Sequence, residues 1–166
     1  MQPTFIRQVS DYVVRQCDRR DLPQVIRINL DTLPEHYSDM FFEELLLESP
    51  ETFLVAEKNG TIVGYIMCRV EFGFSHLKRF GLARKCHIVS VAVSEGHRNR
   101  GLGRALAEEA VKGMQNKGCS EVYLEVRLTN ELAIRLYEQL GFKATARLEG
   151  YYRDGEAAFL MSKRIE

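Results

Sequence analysis

The sequence predicts an α/β (α+β) fold: a mixed, mostly antiparallel twisted sheet flanked by helices, with one central pair of parallel strands. Three observations carry this. Several segments alternate apolar and polar residues at the period of a strand, among them His87 to Val93 and Glu121 to Arg127. An amphipathic stretch from about Leu102 to Asn116 lies between those two, so a strand–helix–strand crossover makes them parallel neighbours. Asn59-Gly60 joins Thr52 to Glu57 with Thr61 to Val70, and both turn residues tolerate the positive φ of a tight hairpin.

The remaining elements follow in order. Residues 1–10 read as a loose end and residues 11–166 as a single domain. Tyr12 to Cys17 is a short strand. Asp18 or Asp21 caps a helix carrying Leu22, Val25, Ile26 and Leu30. Leu33-Pro34-Glu35-His36-Tyr37 breaks that helix. Ser38 caps a second one, which holds Phe41, Phe42, Leu45 and Leu46 and ends before Pro50. Gly73 to Lys85 reads as a long connection. The helix from Leu102 buries Leu102, Leu106, Ala110, Val111 and Met114. In the strand after it, Val122, Leu124 and Val126 share one face; Tyr123, Glu125 and Arg127 share the other. Thr129 or Asn130 caps a helix bearing Leu132, Ala133, Leu136, Tyr137 and Leu140, stopped at Gly141. Two closing strands meet near Asp154-Gly155.

The chain has 166 residues, 23 of them basic and 23 acidic, so net charge gives no general pull toward nucleic acid or membrane. No apolar run approaches the roughly 20 residues needed to cross a bilayer. The start, Met1 to Asp11, lacks the apolar centre of a secretion signal. Cys17, Cys68, Cys86 and Cys119 show no metal spacing. A cytoplasmic protein with reduced thiols is the simplest expectation.

One stretch stands apart: His97-Arg98-Asn99-Arg100-Gly101-Leu102-Gly103-Arg104, after a strand and opening a helix. Its glycines let the backbone approach a ligand, because neither presents a Cβ. Helix-start N–H groups make an anion site, and Arg98, Arg100 and Arg104 add charge. Three cations at a helix N-terminus are disfavoured unless an anion offsets the dipole. The pattern is neither a Walker loop nor a dinucleotide GxGxxG; it reads as a pyrophosphate cradle.

Read as Arg98-x-x-Gly101-x-Gly103 after a strand, this stretch resembles the acetyl-CoA signature of the GCN5-related N-acetyltransferase (GNAT) superfamily. Asn130-x-x-Ala133-x-x-x-Tyr137-x-x-x-Gly141-Phe142 resembles the second cofactor motif of that family. Leu33-Pro34-Glu35-His36-Tyr37, Glu121 to Arg127, and Gly150-Tyr151-Tyr152-x-Asp154-Gly155-Glu156-Ala157 are similar to the peptide loop, following strand and final hairpin of N-terminal (Nα) protein acetyltransferases. They resemble most the archaeal enzymes, and also the bacterial ribosomal-protein-alanine acetyltransferases. His36 departs from the usual Asn of that loop. The resemblance implies a GNAT fold whose central parallel pair forms the acetyl-CoA cleft. It implies direct transfer of acetyl from acetyl-CoA to the α-amino group of protein N-termini, without metal.

The resemblance also implies roles. Glu125 is the first candidate base: mid-strand in an apolar run, it is partly desolvated. The bland reading is a solvated strand face shared with Tyr123 and Arg127. His87 is the second candidate, able to take a proton through a water; a strand histidine is otherwise a packed polar residue. Tyr137 is the candidate acid for the departing sulfur, against a plain core role. Val91, Ala92 and Val93 offer backbone to the pantetheine arm. Arg98, Asn99, Arg100, Gly101, Leu102, Gly103 and Arg104 hold the phosphates, and Asn130, Ala133 and Tyr137 complete the cofactor contacts. Leu33, Glu35, Tyr37, Tyr151 and Tyr152 form the peptide site; the bland reading of the two closing tyrosines is an exposed edge strand. Expected partners are protein N-termini, including nascent chains at the ribosome, with no nucleic-acid or membrane binding and a monomer or homodimer. The alternatives are acetyl transfer to lysine or a small-molecule amine, and a non-catalytic CoA-binding module. Lysine, with a pKa near ~10.4, asks more of the base than an α-amino group near ~8.

Overall fold

The computed structural model describes residues 4–166. The chain divides into two compact units of interleaved segments, one running up to Arg69 and including Ile88–Gly113, the other made of Val70–His87 and Met114–Glu166. The elements are β1 (Phe5–Val9), β2 (Tyr12–Gln16), α1 (Leu22–Thr32), α2 (Asp39–Glu48), β3 (Leu54–Lys58), β4 (Thr61–Phe74), β5 (Leu82–Val93), α3 (Leu102–Asn116), β6 (Glu121–Arg127), α4 (Glu131–Gln139), β7 (Lys143–Leu148) and β8 (Ala158–Arg164). The strand order is β1-β2-β3-β4-β5-β6-β8-β7. Every described pairing is antiparallel except β5 with β6.

In the first unit, a core of Val25, Phe42, Leu45, Phe53, Val55, Tyr65 and Met67 packs α1 and α2 against the sheet. Ser38 caps α2 by accepting from the Phe41 N–H at 3.2 Å. Asp18 and Asp21 act together: each accepts from the other end of a short 3₁₀ turn that precedes α1, a reciprocal capping box. The loose end expected over residues 1–10 is corrected from Phe5 onward. Phe5–Val9 pairs antiparallel with β2, closing through Ser10 at φ 52° and Asp11. Position near a terminus says little when a neighbouring strand offers an edge to pair with; residues 1–3 lie outside the described residues.

In the second unit, β6 pairs with β8 along its whole length, and β7 covers the far side of β8. Asn130 caps α4 through the Ala133 N–H. Two expectations change here. The connection anticipated over Gly73 to Lys85 shrinks to residues 75–81, because β4 continues to Phe74 and β5 starts at Leu82. Lys85, charged and read as loop, is a buried strand residue whose ammonium donates to the Phe74 carbonyl at 2.7 Å, and the short connection is tied to β6, where buried Glu121 accepts from the His76 N–H at 2.9 Å and from the Ser75 hydroxyl. The parallel pairing is also shorter and earlier than expected. It matches Lys85, Cys86 and His87 with Glu121, Val122 and Tyr123.

All four cysteines are buried, and none forms a disulfide among the described residues. No helix among them is long and apolar enough to cross a membrane.

Candidate active site

The second unit holds the candidate bases His87 and Glu125 and the candidate acid Tyr137. Strand alternation puts His87 on the half-buried face of β5, while Cys86 and Ile88 beside it are buried. On β6 it puts Tyr123, Glu125 and Arg127 on the half-buried face and Val122, Leu124 and Val126 in the core. Register then does the rest. His87 sits opposite Tyr123, and their rings stack at 4.5 Å, 4° from parallel. His87 Nε2 reaches Glu125 Oε1 at 2.6 Å. Both side chains are largely withdrawn from water, at 21% and 11% exposure, so the contact is charge-assisted in a desolvated setting. A carboxylate only accepts, so opposite an ionised Glu125 the proton of the contact belongs to Nε2, and in the neutral ring Nδ1 then keeps its lone pair.

Nδ1 in turn faces Glu71 Oε2 of β4 at 3.8 Å, an ion-pair distance. The Tyr123 hydroxyl donates to Glu71 Oε1 at 2.5 Å. Burial, and then this bond to Glu71, push the Tyr123 phenol far above its ordinary range, so it stays a donor. The Tyr123 ring also meets His76, tilted by 59° at 4.4 Å between centroids. The Lys85 ammonium donates to His76 Nε2 at 3.0 Å, and burial followed by the Lys85 charge pulls His76 below its ordinary pKa. Glu71 and Tyr123 carry no functional signal in the sequence. Tyr123 was assigned to the right face, but nothing local in the sequence reports that Glu71, on another strand, meets it.

Further along the same unit, Tyr137 is buried edge-on against Phe142 at 5.6 Å. Tyr151 and Tyr152 lie in the β7–β8 connection, not in an edge strand. Their rings are perpendicular at 4.9 Å. The Arg127 guanidinium stacks on Tyr152 at 4.0 Å while pairing with Asp154 at 2.8 Å. Tyr152 is thereby anchored, and Tyr151 is 48% exposed.

The first unit holds the glycine–arginine turn. On β5, Val89, Val91 and Val93 form a half-buried row, and Ala92 is buried on the reverse face. A 3₁₀ turn over Glu95–His97 follows, then Asn99 at φ 62° and Gly101 at φ 80°. That pair of left-handed residues turns the chain into α3, whose first residue, Leu102, is buried. Arg98, Asn99, Arg100 and Gly101 are exposed, with Gly103 and Arg104 half-buried behind them. Arg98 Nε donates to the Val93 carbonyl at 2.9 Å, which ties the turn to the end of β5. No heavy atom lies within 4 Å of where a Gly101 Cβ would stand, so the backbone is open to an approaching ligand. The first N–H groups of α3, two exposed arginines and this open backbone suit a pyrophosphate.

The same unit carries the loop after α1. Leu33, Glu35 and Tyr37 are half-buried and His36 is exposed. The loop is braced from within. Asn29, buried in α1, donates to the Glu35 carbonyl at 3.0 Å and to the Tyr65 hydroxyl at 3.2 Å, and that hydroxyl meets Ser90 Oγ at 2.7 Å. Burial raises the Tyr65 phenol above its ordinary range. The Tyr37 hydroxyl donates to the Val89 carbonyl at 3.3 Å. The Asn29–Tyr65–Ser90 brace escaped sequence reading, although a polar residue among apolar ones on the buried face of a helix is the signal to look for.

The chain is similar along nearly its whole length to the N-alpha-acetyltransferase of Saccharolobus solfataricus, with 46% identity over 157 residues, 93% of this chain and 94% of that protein. Among solved structures it is similar to Ard1 from Thermoplasma volcanium, with a TM-score of 0.80, 31% identity, and coverage of 94% of this chain and 99% of that one. It is also similar to a chain of the NatC complex bound to Gag peptide and CoA, with a TM-score of 0.81, 26% identity, and coverage of 93% and 98%. Residues 21–142 match the acetyltransferase (GNAT) family. A strand, a glycine–arginine turn and a capped helix in the right order, with relatives of this closeness, make the chain a member of the acetyltransferase (GNAT) family.

Proposed function

We propose that this chain is an acetyl-CoA-dependent Nα-acetyltransferase in which His87 and Glu125 serve as the base. It transfers acetyl to the free α-amino group of protein N-termini. The observation that carries the assignment of the base is the 2.6 Å contact of His87 Nε2 with Glu125 Oε1 in a desolvated setting. The family membership and the N-alpha-acetyltransferase relative support the reaction.

Acetyl-CoA supplies the acetyl group as a thioester. The open turn at Arg98 to Arg104 suits its pyrophosphate, and the half-buried row Val91 to Val93 suits the arm that follows, through backbone groups. Asn130, Ala133 and Tyr137 are assigned the remaining contacts. An α-amino group, with a pKa near ~8, must lose a proton before it attacks a carbonyl carbon. The His87–Glu125 pair takes that proton, at the lone pair that Nδ1 keeps. The N–C bond forms as the C–S bond breaks, and the Tyr137 hydroxyl gives a proton to the departing sulfur. The products are an acetylated N-terminus and a thiol. The nitrogen loses a second proton as the tetrahedral adduct collapses to the amide; one of the two protons restores Tyr137 and the other leaves, so the balance is one proton released per turnover.

Leu33, Glu35 and Tyr37 are assigned to the first residues of the peptide, and Tyr151 and Tyr152 to its backbone. The bracing of each group supports this, since a recognition loop fixed in advance loses less entropy on binding. We place the enzyme in the cytoplasm, acting on nascent chains as a monomer or homodimer.

The test is acetyl-CoA turnover with short peptides beginning Ser, Ala, Met-Leu or Met-Glu, each beside an α-blocked twin that carries a free lysine. The expected result is turnover on the free N-termini and none on the blocked twins. Turnover on the blocked twins would move the substrate to lysine side chains.

A further inference from the structure

His87 is flanked by two carboxylates, and the assignment of the base above uses only one of them. Glu125 occupies Nε2. Glu71 faces Nδ1, the nitrogen that keeps its lone pair while Glu125 accepts from the other. A neutral imidazole and a carboxylate would meet there lone pair to lone pair, with nothing gained. Once Nδ1 takes a proton, the same approach becomes an ion pair at 3.8 Å. Glu71 is therefore matched to the protonated ring, the form that exists after the proton has been collected.

Glu71 is itself held in place. The Tyr123 hydroxyl donates to its other oxygen at 2.5 Å, and the Tyr123 ring lies flat on the imidazole, so one side chain fixes both the plane of His87 and the position of the carboxylate beside it. Tyr123 is fixed in turn by the His76 ring 4.4 Å away and by the Lys85 ammonium 5.2 Å from its centroid. Three strands thus contribute to an array in the order Glu125, His87, Glu71, Tyr123, all inside the second unit.

Resting on the assignment of His87 as base, we propose that Glu71, held by Tyr123, is a positioning residue that orients the His87 ring and stabilises the charge appearing at Nδ1 when the substrate proton arrives. Neither residue touches the reacting atoms in this account; both act through His87.

The experiment is a kinetic double-mutant cycle on the full chain with acetyl-CoA and a peptide substrate. Glu71→Gln removes the charge and keeps the size; it is expected to lower kcat about 10-fold while KM for both substrates stays within about twofold. Tyr123→Phe keeps the ring stack and removes the hydroxyl, with an expected loss of about threefold, and it carries the test alone if Glu71→Gln fails to fold. The deciding measurement is Glu71→Gln in a His87→Ala background, where it is expected to cost nothing further. An equal loss in both backgrounds would show that Glu71 acts independently of His87 and would overturn the proposal. So would an unchanged kcat in Glu71→Gln and Tyr123→Phe while His87→Ala is impaired, with the base assignment left standing. Full activity in His87→Ala would instead remove the base itself, and this proposal with it.

Discussion

Residues 98–104 of the first unit concentrate their chemistry on one stretch of backbone: two left-handed residues, a helix start and three arginines, all within a single turn. In the second unit, Glu71, His87, Tyr123 and Glu125 come from three strands and touch only because of register and face. In the proposed function the first arrangement would bind with groups that the backbone presents whatever surrounds it. The second depends on alignment of side chains that are far apart in sequence. On the proposed assignment the two regions therefore differ in what a mutation would take away: in the turn, ground-state affinity for an anion; in the strand cluster, handling of a proton.

That comparison is broken most directly at the base. His87→Ala and Glu125→Gln are each expected to lower kcat by about 100-fold or more, the lower end of what a positioned base contributes. KM for acetyl-CoA should move by less than about threefold in either variant. Because the two side chains act as one unit across a 2.6 Å contact, the double variant should lose little beyond the worse single one. Steady-state kinetics on the three variants check this; multiplied losses would mean the residues work separately.

The turn should show the opposite split. Arg100→Ala and Arg104→Ala are each expected to raise KM for acetyl-CoA about fivefold, for roughly 1 kcal/mol of lost charge interaction, with kcat nearly kept. Added salt should narrow the difference from the parent protein, since exposed charges are screened over about 10 Å. A fall in kcat with KM unchanged would erase the distinction between the two regions.

How much could be read in the sequence follows the same division. The bounds of α3 and β6, the caps at Ser38 and Asn130, the hairpin at Asn59-Gly60 and the turn into α3 all depend on residues a few positions apart, and all agree with the structure. His87 and Glu125 were singled out from strand position and family resemblance, and the structure brings them together. Lys85 and the residues before it misled, because charge and glycine resemble a loop unless the acceptors of the buried ammonium, the Phe74 carbonyl and His76 Nε2, are known. Phe5–Val9 was missed for a related reason: an edge strand is stabilised by its neighbour β2 and needs little signal of its own. Glu71 carries no local mark at all, since its importance lies in what stands opposite it.

The smallest effect concerns the outer end of the cluster, and it separates scaffold from chemistry. His76 accepts a hydrogen bond from the Lys85 ammonium, and burial together with that charge keeps it neutral. Its folded pKa lies below the unfolded value of about 6.5, so below that pH the unfolded chain binds the extra proton and the native state loses stability; above it the contribution is intact. Carboxylates also titrate on the way down, so the informative quantity is a difference. His76→Gln offers Lys85 an amide oxygen in place of the ring nitrogen and cannot titrate. Between pH 7.5 and 5.5 the parent protein is expected to lose about 2 °C more in Tm than this variant. Melting curves at matched ionic strength give the comparison directly. Parallel curves would show that His76 does not titrate with unfolding, while a kcat that falls with its replacement would extend the proton-handling array outward past Tyr123.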